Sequence, residues 1–139
     1  MTEATTWKWF SKFIRLRDSE CKHGASVGRC CTCGNPIVVH DGYWNASAHA
    51  GHFISRDRKS TKYDEQNVHL QCHHCNTFKG GRQFDHSLFI DRKYGEGTAE
   101  KINIKSRQLC KRNRYDLQQL ADYYRKQAKQ IARERNIKL

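Results

Sequence analysis

Two Cys-x-x-Cys pairs constrain this chain of 139 residues more than any other feature. The first pair is Cys30 and Cys33, the second is Cys72 and Cys75, and about 40 residues separate them. Four thiolates satisfy the tetrahedral coordination of zinc and leave no open position on the ion. The spacing therefore predicts a structural zinc site that ties two distant segments together. Cys31 is the reserve ligand, because Cys-x-Cys is a less usual zinc spacing.

The length and the charge of the chain limit the classes of protein to consider. A chain of 139 residues predicts a single domain, residues 1–139, with a modest core. The 26 Lys and Arg against 14 Asp and Glu favour a polyanionic partner. No run approaches the roughly 20 apolar residues that span a bilayer, and the start of the sequence lacks a signal-peptide pattern. We expect an intracellular nucleic-acid-binding protein whose reduced cysteines bind metal.

The apolar pattern predicts an α+β, mainly helical fold. An amphipathic helix is expected from Thr6, as its N-cap, to Arg17, with the aromatic residues near Trp7 packing against the domain. The other predicted elements are a loop over 18–28, strands over 36–40 and 43–54, a charged loop over 55–66, a helix over 70–80, short helices over 84–95 and 98–109, and an amphipathic helix over 114–136.

Positive charge is concentrated in the last part of the sequence. Residues 101–139 hold 12 Lys and Arg against 3 Asp and Glu. Beside a nuclease-like site, such basic helices favour phosphate binding over a merely solvated face. The apolar stripe from Leu117 to Ile131 fits packing either on its own domain or on a second copy of the chain.

Candidate catalytic residues lie between and just after the two cysteine pairs. His52 ends the second predicted strand, and a neutral imidazole with an ordinary pKa of about 6.5 can take a proton from water. Asn76 directly follows Cys75, and its carbonyl oxygen is a hard ligand suited to Mg²⁺. Asn67 is expected to orient His52 through the ring or the loop backbone. Arg56 and Lys79 are candidate phosphate contacts.

These motifs together resemble a known family. The first Cys-x-x-Cys pair, Ala-Gly-His-Phe-Ile-Ser-Arg over 50–56 and Asn-Val-His-Leu-Gln-Cys-x-x-Cys-Asn over 67–76, with Phe13–Asp18 upstream, closely resemble the NinG (Rap) recombination proteins of lambdoid phages. The resemblance covers about residues 8–95. It implies a His-Me finger (HNH-like) endonuclease that cuts branched DNA such as Holliday junctions, in the cytoplasm and at the nucleoid of a bacterial host, with phage or host recombination proteins as partners.

The resemblance also implies a domain plan and a site. A zinc-braced ββα-metal core is expected over residues 28–81, preceded by the N-terminal helix and followed by a basic helical DNA-binding extension over 82–139. The motifs are similar to those of phage endonuclease VII, in which a metal-binding Asp precedes the base His. The similarity implies His52 as the base and Asn76 as a ligand of catalytic Mg²⁺ or Mn²⁺. In this sequence the Asp position is Gly51.

Gly51 leaves the second protein ligand of the catalytic ion open. His49 is the nearest candidate, and an imidazole would favour Mn²⁺ over Mg²⁺. The alternatives are a carboxylate from the following loop, at Asp57, Asp64 or Glu65, or a site completed by water and substrate. The remaining histidines, His69, His73, His74 and His86, are expected at the surface or around the site.

Two other functions fit the same sequence. One is a non-catalytic, zinc-containing DNA-binding accessory protein of recombination, which the missing Asp before His52 favours. The other is an HNH nuclease that acts on duplex or single-stranded DNA. For an enzyme that makes paired cuts across a junction, a homodimer is the attractive arrangement.

Overall fold

The computed structural model describes residues 2–139 as a mixture of helices and strands, about half of it helical. The expected α+β class is confirmed, with a smaller helical share than predicted. The elements are α1 (Glu3–Arg17), β1 (Ser19–Lys22), β2 (Ala25–Arg29), β3 (Pro36–His40), β4 (Ala48–His52), α2 (Lys59–Lys62), β5 (Val68–Cys72), a π-helical turn (His74–Phe78), α3 (Gln83–Tyr94), α4 (Thr98–Ser106) and α5 (Arg114–Glu134). None of the helices within residues 2–139 combines the length and apolar character needed to cross a membrane.

Helix α1 begins earlier than the sequence predicted. Thr2 is the N-cap, and its Oγ1 accepts a hydrogen bond from the backbone N–H of Thr5 at 3.2 Å. The predicted cap, Thr6, is fully buried and donates its hydroxyl to the carbonyl of Leu117 at 3.1 Å. The assignment of Thr6 as the cap was wrong because that hydroxyl makes a tertiary contact with α5 that a local pattern does not reveal.

A β-hairpin replaces the loop that was predicted over residues 18–28. Strands β1 and β2 pair antiparallel, and β2 continues into a second antiparallel pairing with β3. His23 and Gly24 connect β1 to β2 with φ values of 52° and 84°. Positive φ at both central residues is typical of the two-residue hairpin turn whose twist matches that of the paired strands. The loop prediction was wrong because β1 is mostly exposed and polar. Its sequence therefore lacks the alternation of apolar and polar residues by which a strand is predicted.

Strands β4 and β5 form a separate antiparallel pair that leads into the second cysteine pair. Their register runs from Ala48 opposite Cys72 to His52 opposite Val68. The helix predicted over 70–80 was therefore wrong in its first part, since helical backbone begins only at His74. The cysteine spacing suits a helix, but Val68, His69, Leu70 and Gln71 alternate between apolar and polar side chains, which is the period of a strand.

The main apolar core joins α1 to α5 and to the β4–β5 pair. The Phe10 and Ile14 side chains of α1 are fully buried, and the Phe10 ring meets the Tyr124 ring edge-on with centroids 4.8 Å apart. Leu117 and Ala128 of α5 belong to the same cluster. The apolar stripe of α5 therefore packs on its own chain. Of the two uses expected for this stripe, packing within the domain is the one that the structure has.

His69 and His86, which were expected at the surface or around the site, are fully buried between β5 and α3. His69 Nδ1 lies 3.0 Å from His86 Nε2, and His69 Nε2 lies 2.9 Å from the Tyr94 hydroxyl. Burial lowers the pKa of both imidazoles, to about 2 for His69 and about 4 for His86. Both rings are therefore neutral at pH 7 and form a polar chain inside the domain.

Replacing Phe10 with alanine should lower the free energy of unfolding by about 3–5 kcal/mol, since it removes a buried ring at the α1–α5 contact. The control is Phe84→Ala, because Phe84 is 75% exposed. We expect that control to change stability by about 0.5 kcal/mol or less. Urea denaturation followed by circular dichroism, at constant metal content, measures both values. Equal effects of the two substitutions would contradict this description of the core.

Candidate functional site

The sulfur atoms of the two predicted pairs converge on one point. The Sγ atoms of Cys30, Cys33, Cys72 and Cys75 all lie within 4.8 Å of one another. The sulfurs of Cys33 and Cys72, from different pairs, are 3.9 Å apart. Four sulfurs at the usual zinc–sulfur distance would be separated by roughly 3.8 Å. The cluster could therefore hold a structural metal ion such as zinc.

Backbone hydrogen bonds shape each pair into a turn. After the first pair, Gly34 has a φ of 77° and donates its N–H to the carbonyl of Cys30 at 2.9 Å. In the second pair, the N–H of Cys75 donates to Cys72 Sγ at 3.4 Å. The N–H of Cys31 donates to the carbonyl of Leu70 at 2.9 Å. The first turn is thus joined to β5 through the main chain as well as through the sulfurs.

The thiols are arranged to ionise around a cation. Although burial opposes ionisation, hydrogen bonds, the largest from Thr32, lower the pKa of Cys30 to about 6. Burial and the neighbouring thiols raise the pKa of Cys33 to about 12 and also raise that of Cys72. Four thiolates therefore coexist here only if a positive ion neutralises them. Burial also strongly raises the pKa of Cys31, so this residue remains a neutral thiol outside the cluster.

A cleft of about 710 Å³ lies beside the cysteine cluster. It brings together four of the side chains that the sequence singled out, which are His49, His52, Arg56 and Asn76. Lys79 is exposed but is not part of the cleft lining. No Asp or Glu of the described residues 2–139 lines the cleft. The cleft is therefore positive in character and suits an anionic ligand.

His52 is held in one tautomer. Its Nε2 lies 3.0 Å from the carbonyl oxygen of Lys62, and because a carbonyl only accepts, Nε2–H is the donor. Nδ1 therefore keeps its lone pair. The Trp7 ring stacks on the imidazole, with centroids 5.0 Å apart and planes inclined by 23°. Burial, opposed by the Lys62 hydrogen bond, lowers the pKa of His52 to about 4, so the ring is neutral at pH 7.

Asn67 is fully buried and binds the loop that follows β4. Its Oδ1 accepts from the N–H of Ile54 at 2.8 Å, and its Nδ2 donates to the carbonyls of Ile54 and Thr61 at 3.0 Å each. Of the two modes that were expected for Asn67, the structure has the contact with the loop backbone. Thr61 directly precedes Lys62, so this amide fixes the segment whose carbonyl binds His52.

His49 and Asn76 are in direct contact. Asn76 Nδ2 lies 3.0 Å from His49 Nδ1, while His49 Nε2–H donates to the carbonyl of Ala46 at 3.1 Å. The ring therefore presents an unprotonated Nδ1 to the amide. Burial, with smaller contributions from His73 and Arg15, lowers the pKa of His49 and favours this neutral form. An imidazole nitrogen and an amide oxygen, one from each residue, are available here as ligands for a divalent ion.

The neighbourhood of Gly51 explains why no side chain occupies that position. A Cβ atom added there would overlap Gln71 Oε1. Gln71 is itself fully buried and donates its Nε2 to Thr32 Oγ1 and to the carbonyl of Gly81. An Asp at position 51 would require the Gln71 side chain to move, so the buried Gln71 occupies the space that a carboxylate at that position would take.

The carboxylates of the following loop are engaged elsewhere. Asp64 forms an ion pair with Lys105 at 2.9 Å, and Glu65 accepts from the Tyr124 hydroxyl at 3.1 Å. Asp57 accepts from Ser55 within its own exposed turn. None of the three lines the cleft. Among the candidates for a second ligand, only His49 is in contact with Asn76.

One wall of the cleft was missed by sequence reasoning. Trp7, Ser11 and Arg15 of α1 are spaced by four residues, and all three line the cleft. This spacing places side chains on one face of a helix. The sequence had assigned Trp7 mainly to packing against the domain, with base stacking by one of the aromatic residues as the alternative. The available signal was the spacing of Ser11 and Arg15, two polar residues four positions apart beside the apolar stripe of the helix.

Cys75→Ser should remove the metal from the cluster, because three sulfurs and a hydroxyl bind zinc more weakly than four thiolates. We expect about one zinc ion per chain in the parent protein and a lower melting temperature for the variant. The control is Cys21→Ser, since Cys21 is exposed and outside the cluster. Metal analysis and thermal melting test both variants. Loss of metal from Cys21→Ser alone would contradict the ligand assignment.

Asn67→Ala should lower the free energy of unfolding by roughly 2–3 kcal/mol, because three backbone groups lose their partner in a buried position. Hydrogen exchange at the Ile54 amide should become faster. The neighbouring Gln66 is exposed, so Gln66→Ala serves as the control and should leave both measurements unchanged. An Ile54 amide that stays equally protected in Asn67→Ala would be inconsistent with this role.

Comparison with known proteins identifies a family for the whole chain. A search of curated proteins and a search of solved structures each found no match. The family described as Bacteriophage Lambda NinG protein matches residues 2–134. The match includes α1, both cysteine pairs, the cleft residues and α5. It supports the phage recombination context that the motifs implied. The chain belongs to the NinG family.

Proposed function

We propose that this protein is a metal-dependent endonuclease that cuts branched DNA during phage recombination. The observation that carries the proposal is the grouping of His52, His49 and Asn76 in one cleft. An unprotonated imidazole, a pair of candidate metal ligands and a positive surround are the parts that phosphodiester hydrolysis needs. Family membership supplies the recombination context.

His52 acts as the general base. The Lys62 carbonyl takes the Nε2–H, which leaves Nδ1 to accept a proton from the attacking water. The low pKa keeps the ring unprotonated at pH 7. Asn67 maintains this state indirectly, because it holds the carbonyl of Thr61 next to Lys62. Trp7 covers the ring and limits its rotation.

His49 and Asn76 would hold the catalytic metal. The Ala46 hydrogen bond fixes the histidine tautomer with an unprotonated Nδ1, which now accepts from Asn76 Nδ2 at 3.0 Å. A metal ion would replace this hydrogen bond, with the amide turned so that Oδ1 is the ligand. A bound divalent ion would neutralise charge on the scissile phosphate and the leaving oxygen. A nitrogen and an oxygen ligand without a carboxylate favour Mn²⁺ over Mg²⁺.

The order of elements supports a His-Me finger assignment. The antiparallel strands β4 and β5 are followed directly by the helical turn 74–78. His52 lies at the end of β4, and Asn76 lies in that turn. In the proposed core, the cysteine cluster holds the turn against the strands, so the base and the metal ligand are placed by the same short motif.

Basic residues around the cleft would hold the DNA. Arg56 lines the cleft, and Lys79 is exposed at the end of the helical turn. The exposed face of α5 carries further basic residues, which are Arg114, Arg125, Lys126, Lys129 and Arg133. Several separate basic surfaces suit a branched substrate better than a single linear duplex, because each arm can contact its own surface. A homodimer that makes paired cuts remains part of this proposal.

His52→Ala should slow cleavage of a synthetic four-way junction by about 10²–10⁴-fold in Mn²⁺, the usual contribution of a general base. Zinc content and junction affinity should stay at the parent values. The control is His23→Asn, because His23 is exposed in the β1–β2 turn and Asn tolerates its positive φ. Cleavage by His52→Ala at the parent rate would rule out this assignment of the base.

Substrate choice decides between the three functions. Junction, fork, duplex and single strand are compared side by side in Mg²⁺ and in Mn²⁺. Faster cutting of junction and fork supports the proposal, whereas equal cutting of duplex or single strand indicates a general HNH nuclease. Salt-sensitive binding without scission in either ion would identify the non-catalytic accessory protein, which the absence of carboxylates from the cleft favours.

A further inference from the structure

Two arginines on the last turn of α1 have very different surroundings. Arg17 is fully engaged, since it binds both carboxylate oxygens of Asp18 and the carbonyls of Glu65 and Val68 at 2.7–3.0 Å. Arg15 donates only its Nε–H, to the carbonyl of Ser11 at 3.1 Å. Within residues 2–139, its two terminal nitrogens have no hydrogen-bond acceptor and no ion-pair partner. The Arg17 guanidinium therefore holds parts of the fold together, whereas the Arg15 guanidinium still has hydrogen-bond donors without a protein partner.

The free end of Arg15 belongs to the cleft. Arg15 lines the cleft together with His49, His52 and Asn76. Its guanidinium carbon lies 4.5 Å from the centroid of the Trp44 ring, and the Trp44 indole N–H is buried without a partner among the described residues. Burial lowers the pKa of Arg15 to about 10, so the group stays charged at pH 7.

A partly desolvated cation without an anion is unusual in a folded domain. The end of α1 and the face of Trp44 offset part of the cost of burying this charge. They do not satisfy the terminal N–H groups, which present the planar fork that suits phosphate oxygens. The stacking on Trp44 and the Ser11 hydrogen bond fix the fork before any ligand arrives.

We propose that Arg15 is the phosphate-binding residue of the cleft and contacts a phosphodiester of the strand that is cut, with Trp44 as its stacking support. This role rests on the proposed nuclease function for the identity of the strand. Arg15 is distinct from Arg56 and Lys79, which are exposed. Its position beside His49 and Asn76 puts the phosphate contact next to the proposed ion site.

The first test is the rate of cleavage of a four-way junction at saturating protein in Mn²⁺. Arg15→Gln should cut on the order of 10²-fold more slowly than the parent. Arg15→Lys should fall between the two, because an ammonium keeps the charge but loses the planar fork. Lys22→Gln removes the same charge from the exposed β1–β2 hairpin outside the cleft and should cut at the parent rate. A parent-like rate for Arg15→Gln would overturn the proposal.

The second test does not depend on catalysis. Binding of the same junction is measured by fluorescence anisotropy without added Mg²⁺ or Mn²⁺, and without a chelator that would remove the structural zinc, over a series of salt concentrations. Loss of one phosphate contact should make the dependence of log affinity on log salt less steep by about one unit in Arg15→Gln but not in Lys22→Gln. An unchanged slope for Arg15→Gln would overturn the phosphate contact. If the parent protein cuts no DNA, the nuclease proposal fails and this slope still decides the role of Arg15.

Zinc content and melting temperature separate a local effect from misfolding. Arg15→Gln and Arg15→Lys should both keep the parent zinc content, because Arg15 is not part of the cysteine cluster. If Arg15→Gln unfolds, Arg15→Lys carries the test, since it preserves most of the side chain that packs on Trp44. A folded Arg15→Lys with parent cleavage rate and parent salt slope would overturn the proposal.

Discussion

The convergence of four sulfur atoms is the interaction on which the rest of the structure depends. It joins the turn before β3 to the end of β5 and to the helical turn that follows. Only 37% of the residues are hydrophobic, so a metal ion bound by these four cysteines would supplement a small core. The second apolar cluster, with Val39 and Leu70, forms around the same cysteines. Asn76 directly follows Cys75, which means that one local turn positions both the cluster and a wall of the cleft.

Helix α1 belongs both to the apolar core and to the wall of the cleft, through two different faces. One face carries Phe10 and Ile14 into the core against α5. The other presents Trp7, Ser11 and Arg15 to the cleft. Because both faces belong to one rigid element, packing on α5 sets the position of the cleft wall. The buried face of α5 therefore helps to position the cleft wall.

Local signals predicted the elements that depend on local chemistry. The cysteine spacing, the strand over 36–40, α3 and α5 followed from turn residues and helical periodicity, and the structure agrees. The β1–β2 hairpin was missed because the side chains of β1 are mostly polar and exposed. The strand part of residues 68–72 was missed because the cysteine spacing was interpreted as helical, although Val68 to Gln71 alternate between apolar and polar side chains. The cleft was likewise predicted only in part. His49, His52 and Asn76 could be identified as candidate site residues from their residue type. The proposed role of Arg15 could not be predicted, because it depends on its terminal nitrogens having no acceptor in the folded chain.

The hydrogen bond from Thr6 to the carbonyl of Leu117 spans 111 positions of the chain. During translation, α1 leaves the ribosome long before its partner helix is made. Contacts of such long sequence separation form late and slow the folding of a domain. A nascent chain thus lacks a fixed wall for its cleft until α5 has emerged.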